Sequence, residues 1–329
     1  MNFATRVAAA VVLAASLAGS PSVAQTNWPD KPVKLVVGFT PGSATDVTAR
    51  LFAQKFQEAW GQPVVVENIA GNSGAIGTDR VAKAAPDGHT LGLTSNGPLT
   101  LAPTTNAALS FHPQRDLAPV TPVASTPVAL MAWPGLPART LPELLALARA
   151  QPGALTYSHT GVGNSTHIAG ELMKQIAGVD ITAVPYSGAM VPDVLAGRVS
   201  MTFGSLATAV PLAREGRLRV LGITSRSRVA AAPDVPTFAE QGLQDFEVMT
   251  WFGLVAPARV PAEYLERLYI EAARAVIALR PRIVELYAEP MTEAPARFAL
   301  RIAEETARWA PILRSIAAAP ESAGATGAR

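Results

Sequence analysis

The sequence predicts an α/β protein of two lobes, with a parallel-type sheet in each lobe and a helical C-terminus. Three observations predict it. Short apolar runs alternate with helical patterns of about ten residues in two series, 33–94 and 155–224, as parallel βαβ units do. Two extended stretches, one rich in proline, connect the series. The chain from Pro261 to about Ile316 reads as helical, and the small, polar tail from Ala317 is expected to be disordered. A length of 329 residues suits two domains, and 49% hydrophobic against 16% charged residues fits a packed globular chain.

The N-terminus reads as a targeting segment. Arg6 is the sole charge before Asp30, and the apolar stretch 7–18 is short for a bilayer span. Ser22-Val23-Ala24 carries small residues where a signal peptidase needs them, so cleavage is expected after Ala24. An exported protein, in a bacterial periplasm, is the expectation.

The first strand is Val33–Val37, and the loop Gly38-Phe39-Thr40-Pro41-Gly42-Ser43 follows it. Val47, Leu51, Phe52 and Phe56 then fall on one helical face, with Thr45 or Asp46 as the expected cap. This loop sits where open sheets bind ligands. The helix start offers unpaired N–H groups and partial positive charge, which makes a cradle for a carboxylate or phosphate. The alternative is an ordinary capped turn, because the glycine–lysine ending of a P-loop and G-x-G-x-x-G are both missing.

Val64–Val66 reads as a second buried strand and leads to the glycine-rich loop 71–77 and a helix to about Ala84. Thr90–Thr94 is a third strand, ended by Ser95-Asn96-Gly97-Pro98. Val120–Ala124 and Val128–Ala132 read as separate extended segments among prolines, which mark sheet edges or crossovers. Thr140 caps a helix over 141–150. The second series places strands at 155–159, 181–184, 199–203 and 218–224, each but the last followed by a polar loop and a helix. The helix 166–177 has Ile168, Leu172 and Ile176 on one face and Gly178 as its stop. Glu247–Val255 is the second crossover, and helices are expected over 261–279, 281–288 and 295–316. The expected division is 1–24 as signal peptide, 25–124 with 250–329 as the first lobe, and 125–249 as the second.

A net charge of +2 gives no field for nucleic acid. Without cysteine there are no disulfides, thiolate metal sites or cysteine nucleophiles. The four histidines, His89, His112, His159 and His167, form no ligand spacing with carboxylates, so no metal or other cofactor is expected. Ser165 and His167 could form a nucleophilic pair in a secreted hydrolase, although G-x-S-x-G is missing. A helix cap followed by a polar turn is the other reading. The cleft loops are poor in ionisable groups and rich in Gly, Ser, Thr and Asn. Catalysis needs a tuned acid or base, whereas anion binding needs aimed N–H and O–H donors. Binding without catalysis is therefore the reading adopted.

An ordered set of segments carries a family resemblance. They are Trp28–Val37, Phe39–Asp46, Gly61–Asn68, Val81–Leu91, Val184-Pro185-Tyr186, Pro233–Thr237 and Trp251–Leu254. The chain resembles the periplasmic substrate-binding proteins of tripartite tricarboxylate transporters, the Bug or TctC-type receptors. The resemblance implies a Venus-flytrap fold that holds a small carboxylated molecule between its lobes. Carried over, the first-lobe contacts are Phe39, Thr40, Gly42, Ser43, Ala44 and Asp46, with Gly74 and Ser95 as secondary candidates. The second-lobe contacts are Thr160, Gly161, Gly163, Asn164, Ser165 and His167. Tyr186 either stacks on a ligand ring or packs as core. Two positions depart from the pattern: Ser187 stands where members often carry Lys, and Gly204 where many carry an Asp that holds a ligand amino group. The implied partners are a membrane permease or a sensor kinase ectodomain, with the receptor a monomer.

Overall fold

The computed structural model describes residues 28–161, 163–186 and 189–318. The targeting segment 1–24, Ser187 and the tail after Ala318 lie outside the described residues.

The first sheet starts from three parallel strands, β1 (Val33–Val37), β2 (Val64–Asn68) and β3 (Thr90–Ser95), with β1 between the other two. β2 is not the buried strand expected. It lies at the sheet edge, and Val65 is 54% exposed while Val64 is covered. Between these strands run α1 (Ala44–Trp60) and α2 (Ala75–Ala82). α1 turns Phe52 and Phe56 into the core and ends on Gly61 in the left-handed conformation. β3 also pairs antiparallel with β9 (Met249–Pro257).

The two proline-flanked segments expected over 120–132 are one strand, β4 (Leu117–Ala132). Its first part pairs antiparallel with β9, from Leu117 to Pro127. The register shifts between Pro119 and Thr121 and again between Pro122 and Ala124. Proline lacks an N–H for the ladder, so an interior strand tolerates it where a bulge breaks the pairing. From Val128 onward β4 changes partners and becomes a central strand of the second sheet.

That second sheet holds β5 (Thr156–His159), β6 (Thr182–Pro185), β7 (Met201–Ser205) and β8 (Arg219–Ile223). β5 pairs parallel with β6 and β7. β4 is inserted antiparallel between β7 and β8. The βαβ units therefore run parallel as expected, but each sheet is mixed because a crossover strand enters it in the opposite sense. Gly204 and Ser205, read as loop, close β7 as ladder partners of Ala129 and Val128. α3 (Leu141–Ala150), capped by Thr140, and α4 (Ser165–Ala177) cover this sheet. Ile176 leaves the expected apolar face and is 45% exposed. α5 (Leu206–Arg214) follows β7.

The C-terminal chain forms α6 (Ala262–Glu285) and α7 (Pro295–Ala318). α6 runs through Pro281, where a break was expected. The carbonyl that loses its partner belongs to Ile277, which is 75% exposed, so the lost bond falls on the solvent face of the helix. α7 reaches beyond the first sheet: Trp309 and Leu313 join the core around Tyr157, Phe203 and Leu145.

Candidate ligand-binding cleft

The loops after β1, β2, β3, β5 and β6, and the end of β7, converge on one cleft of about 1050 Å³. Open sheets collect ligands at these carboxyl ends, where strand order switches. Thr126, Pro127 and Val128 of β4 and Thr250 and Phe252 of β9 complete it. Among the described residues, none of the lining side chains bears a formal charge.

The first loop is tied down by Asp46. Ser43, not Thr45 or Asp46, is the cap of α1: its Oγ accepts the Asp46 N–H at 3.3 Å. The Asp46 carboxylate accepts from Gly42 N–H at 2.9 Å, Arg50 Nε at 3.0 Å and Asn68 Nδ2 at 2.9 Å. Asn68 also donates to the Phe39 carbonyl at 3.0 Å. Burial alone would raise the Asp46 carboxyl, but Arg50, the Gly42 N–H and Asn68 together hold it below the usual range. Asp46 is 2% exposed and does not line the cleft. The Gly42 N–H is spent on it. Ala44 and Thr45 line the cleft, and their N–H groups, in the first turn of α1, have no partner among the described residues.

The second loop stores strain. Gly71, Asn72, Ser73 and Gly74 have φ of 142°, 46°, 53° and 92° in succession. Asn72 and Ser73 hold a conformation that costs a side-chain-bearing residue on the order of 1 kcal/mol or more. Such strain collects where a backbone is shaped for contact. Gly74 admits the Phe39 ring, which a Cβ there would meet at 2.7 Å.

The opposing loop is organised by Asn164, whose Oδ1 accepts from the N–H groups of Thr166 at 2.9 Å and His167 at 3.3 Å. Asn164 Nδ2 bonds the Thr160 hydroxyl. Gly161 donates its N–H to His159 Nδ1 at 3.3 Å, and Gly163 donates to His167 Nδ1 at 3.4 Å. The two imidazoles lie 4.5 Å apart. Burial lowers both pKa values, and for His167 the neighbouring His159 adds to the effect and takes it to about 4. Both rings are thus neutral near pH 7 and able to accept. His167 stands behind the loop rather than in the cleft lining, and the Gly161 and Gly163 N–H groups are committed to these rings.

The two halves touch. Ser165 Oγ and Thr250 Oγ1 are 2.7 Å apart. A Cβ on Gly161 would lie 2.5 Å from Ser73 Oγ, and one on Gly163 2.3 Å from Thr105 Oγ1. Ser165 bonds Thr250 and not His167, so the nucleophile–base contact a hydrolase requires is not made. Tyr186 lines the cleft with its hydroxyl held by Asp193. Arg198 is taken up by Asp193 on the surface. Of the residues predicted from sequence, Phe39, Thr40, Gly42, Ser43, Ala44, Gly74, Ser95, Thr160, Gly161, Gly163, Asn164, Ser165, Tyr186 and Gly204 share this one cleft. Met131, Met190, Thr126, Thr208, Thr250 and Phe252 line it unpredicted. Nothing in a strand's apolar pattern distinguishes a crossover residue from a core residue.

The model of the tripartite tricarboxylate transporter family receptor matches residues 48–318. Protein BugT of Bordetella pertussis is 34% identical over 320 residues, covering 95% of this chain and 98% of that one. The structure of R. palustris Rpa4515 with adipate superposes with a TM-score of 0.84 at 33% identity, over 88% of this chain and 98% of that one. MatC from Rhodopseudomonas palustris with bound malate gives 0.80 at 32% identity, over 87% and 100%. The family is one of receptors, and no described helix here is long and apolar enough to cross a membrane. Two mixed sheets joined by one shared strand, a cleft at their carboxyl ends and a family match over most of the chain agree: the protein belongs to the tripartite tricarboxylate transporter receptors, the Bug or TctC-type periplasmic solute-binding proteins.

Proposed function

We propose that this protein captures a small organic acid in the cleft and delivers it to a membrane permease. The carrying observation is a cleft without charged side chains among its described lining residues, whose unspent donors include backbone N–H groups at a helix start, those of Ala44 and Thr45. Such groups bind an anion through aimed dipoles. The adipate and malate bound by the two R. palustris relatives support an acid as ligand. Phe39, Thr40, Ser43 and Ala44 act from the first lobe and Thr160, Asn164 and Ser165 from the second. Gly42, Gly161 and Gly163 act by shaping the loops, and Asp46 and His167 by bracing them.

Delivery works by closure. The lobes of 25–124 with 250–329 and of 125–249 swing about β4 near 124–128 and β9 near 249–250. The Ser165–Thr250 bond and the Gly161–Ser73 contact belong to the closed form. A ligand touching both lobes binds that form better and shifts the population towards it. The mature protein begins after Ala24 and works as a monomer. A gene deletion separates uptake from sensing: loss of acid import supports the permease partner, and loss of acid-induced transcription alone supports the sensor kinase.

The binding test is a thermal melt of mature protein stripped of ligand by unfolding and refolding. A bound acid at 100 times its Kd adds about 2.7 kcal/mol, so the midpoint rises by several degrees, on the order of 2–4 °C per kcal/mol. No shift with aliphatic, hydroxylated or aromatic acids would sink the proposal.

A further inference from the structure

The two sides of the cleft differ in what they have left to offer a ligand. The first-lobe side keeps unspent backbone donors at α1, the N–H groups of Ala44 and Thr45. On the second-lobe wall the polar side chains that line the cleft are already paired. Behind the wall, buried Thr202 donates to the Ser158 carbonyl at 3.0 Å and lies 3.6 Å from Met190 Sδ. The Ser205 and Thr208 hydroxyls bond each other at 3.1 Å, and Ser205 Oγ also accepts the Thr208 N–H. The Tyr186 hydroxyl is held by Asp193, so its ring is what remains for the cleft.

Apolar groups fill this wall. Met131 and Met190 line it with Ala189 and Val191. Gly204 decides its shape: a Cβ there would stand 2.5 Å from Met131 Cε. The missing side chain thus lets a methionine methyl group lie against the strand. A second charged group of a ligand, pressed against two thioethers with no charged side chain among the described lining residues, would lose its hydration uncompensated. An apolar body gains roughly fourfold in affinity for each methylene buried.

We propose that Met131, packed over Gly204, and Met190 form an apolar subsite that selects a monocarboxylic acid with an alkyl or aryl body over di- and tricarboxylates and amino acids. The inference rests on the acid-receptor reading above and specifies its ligand class.

The experiment is calorimetric titration of refolded mature protein with propionate, butyrate, pentanoate, hexanoate and benzoate. Succinate, malate, citrate and L-glutamate serve as competitors, and benzamide as the neutral control. The expected result is a Kd that falls several-fold per added methylene until the cleft is filled, with the best monoacid at least tenfold tighter than malate. Gly204→Asp and Met131→Gln each weaken that acid at least tenfold, whereas Met131→Leu leaves it within threefold. Melting of the unliganded variants checks that they fold, and the end of Met131 is flexible enough to make room. Tightest binding of malate, citrate or glutamate, or affinity indifferent to chain length, overturns the subsite and leaves the acid receptor standing. Binding of benzamide without any acid, or no binding at all, removes both.

Discussion

The two loops that face each other across the cleft share a plan and differ in what holds them. Each leaves a parallel strand, passes through glycines and enters a helix with a side-chain cap, Ser43 in one and Asn164 in the other. The loop at 38–46 is braced by charge, with the Asp46 carboxylate tying Gly42, Arg50 and Asn68. The loop at 160–167 is braced by two neutral rings, His159 and His167, that accept N–H groups from Gly161 and Gly163. A carboxylate held low keeps its grip across the ordinary pH range. An imidazole keeps its grip only while unprotonated. The same geometry therefore has two different sensitivities.

Removing the charged brace has the largest expected effect. Asp46→Ala leaves Gly42 N–H and Asn68 short of an acceptor, and charged hydrogen bonds contribute about 1.5–3 kcal/mol each. A stability loss of about 4 kcal/mol in urea unfolding is expected, with acid binding lost as the Ala44–Thr45 turn loosens. The folded pKa is depressed, so this brace is present above the unfolded carboxylate value and fails only as pH falls through the lower folded one. A loss below 1 kcal/mol would break the contrast, since the loop would then stand without its charge.

The histidine brace is next. The folded value of His167 lies near 4, below its ordinary 6.5. Its contribution is complete above about pH 6.5 and declines as pH falls from there towards 4, because the unfolded chain takes the proton first. The facing groups are His159, Glu171 and Lys174, with Tyr157 bonded to Glu171 at 2.7 Å. The loss amounts to up to about 3 kcal/mol at pH 4. His167→Gln should flatten that part of the melting curve against pH. An unchanged curve would show that the ring does not carry the acid sensitivity.

The smallest effect concerns closure. A double-mutant cycle on Ser165→Ala and Thr250→Val should give a coupling of about 1 kcal/mol in ligand affinity. Coupling near zero would mean that the hydroxyl pair does not help hold the loops together.

Much of the fold was legible because strand, loop and helix signals in the two α/β series are local. Val33–Val37, Thr140 before its helix and Gly178 after its own could be read from neighbouring residues. The crossover could not. Pro119, Pro122 and Pro127 argue against a continuous interior strand, and β4 forms one because bulges beside Pro119 and Pro122 absorb the missing donors. In the cleft, the glycine loops were legible from composition. The duties of their members were not: Asp46 and His167 act from behind, and Met131 enters from a strand interior.

The sequence by itself determined the alternation of strands and helices, the uncharged polar character of the loops and the ordered motifs of the family, since each is a property of residues near in the chain. Only the tertiary structure decided that β4 serves both sheets, that two histidines are spent as hydrogen-bond acceptors, and that a methionine methyl lies over Gly204. The physical reason is that those outcomes depend on close approach between segments far apart in sequence. Burial and the competition for donors there reassign what each side chain can do.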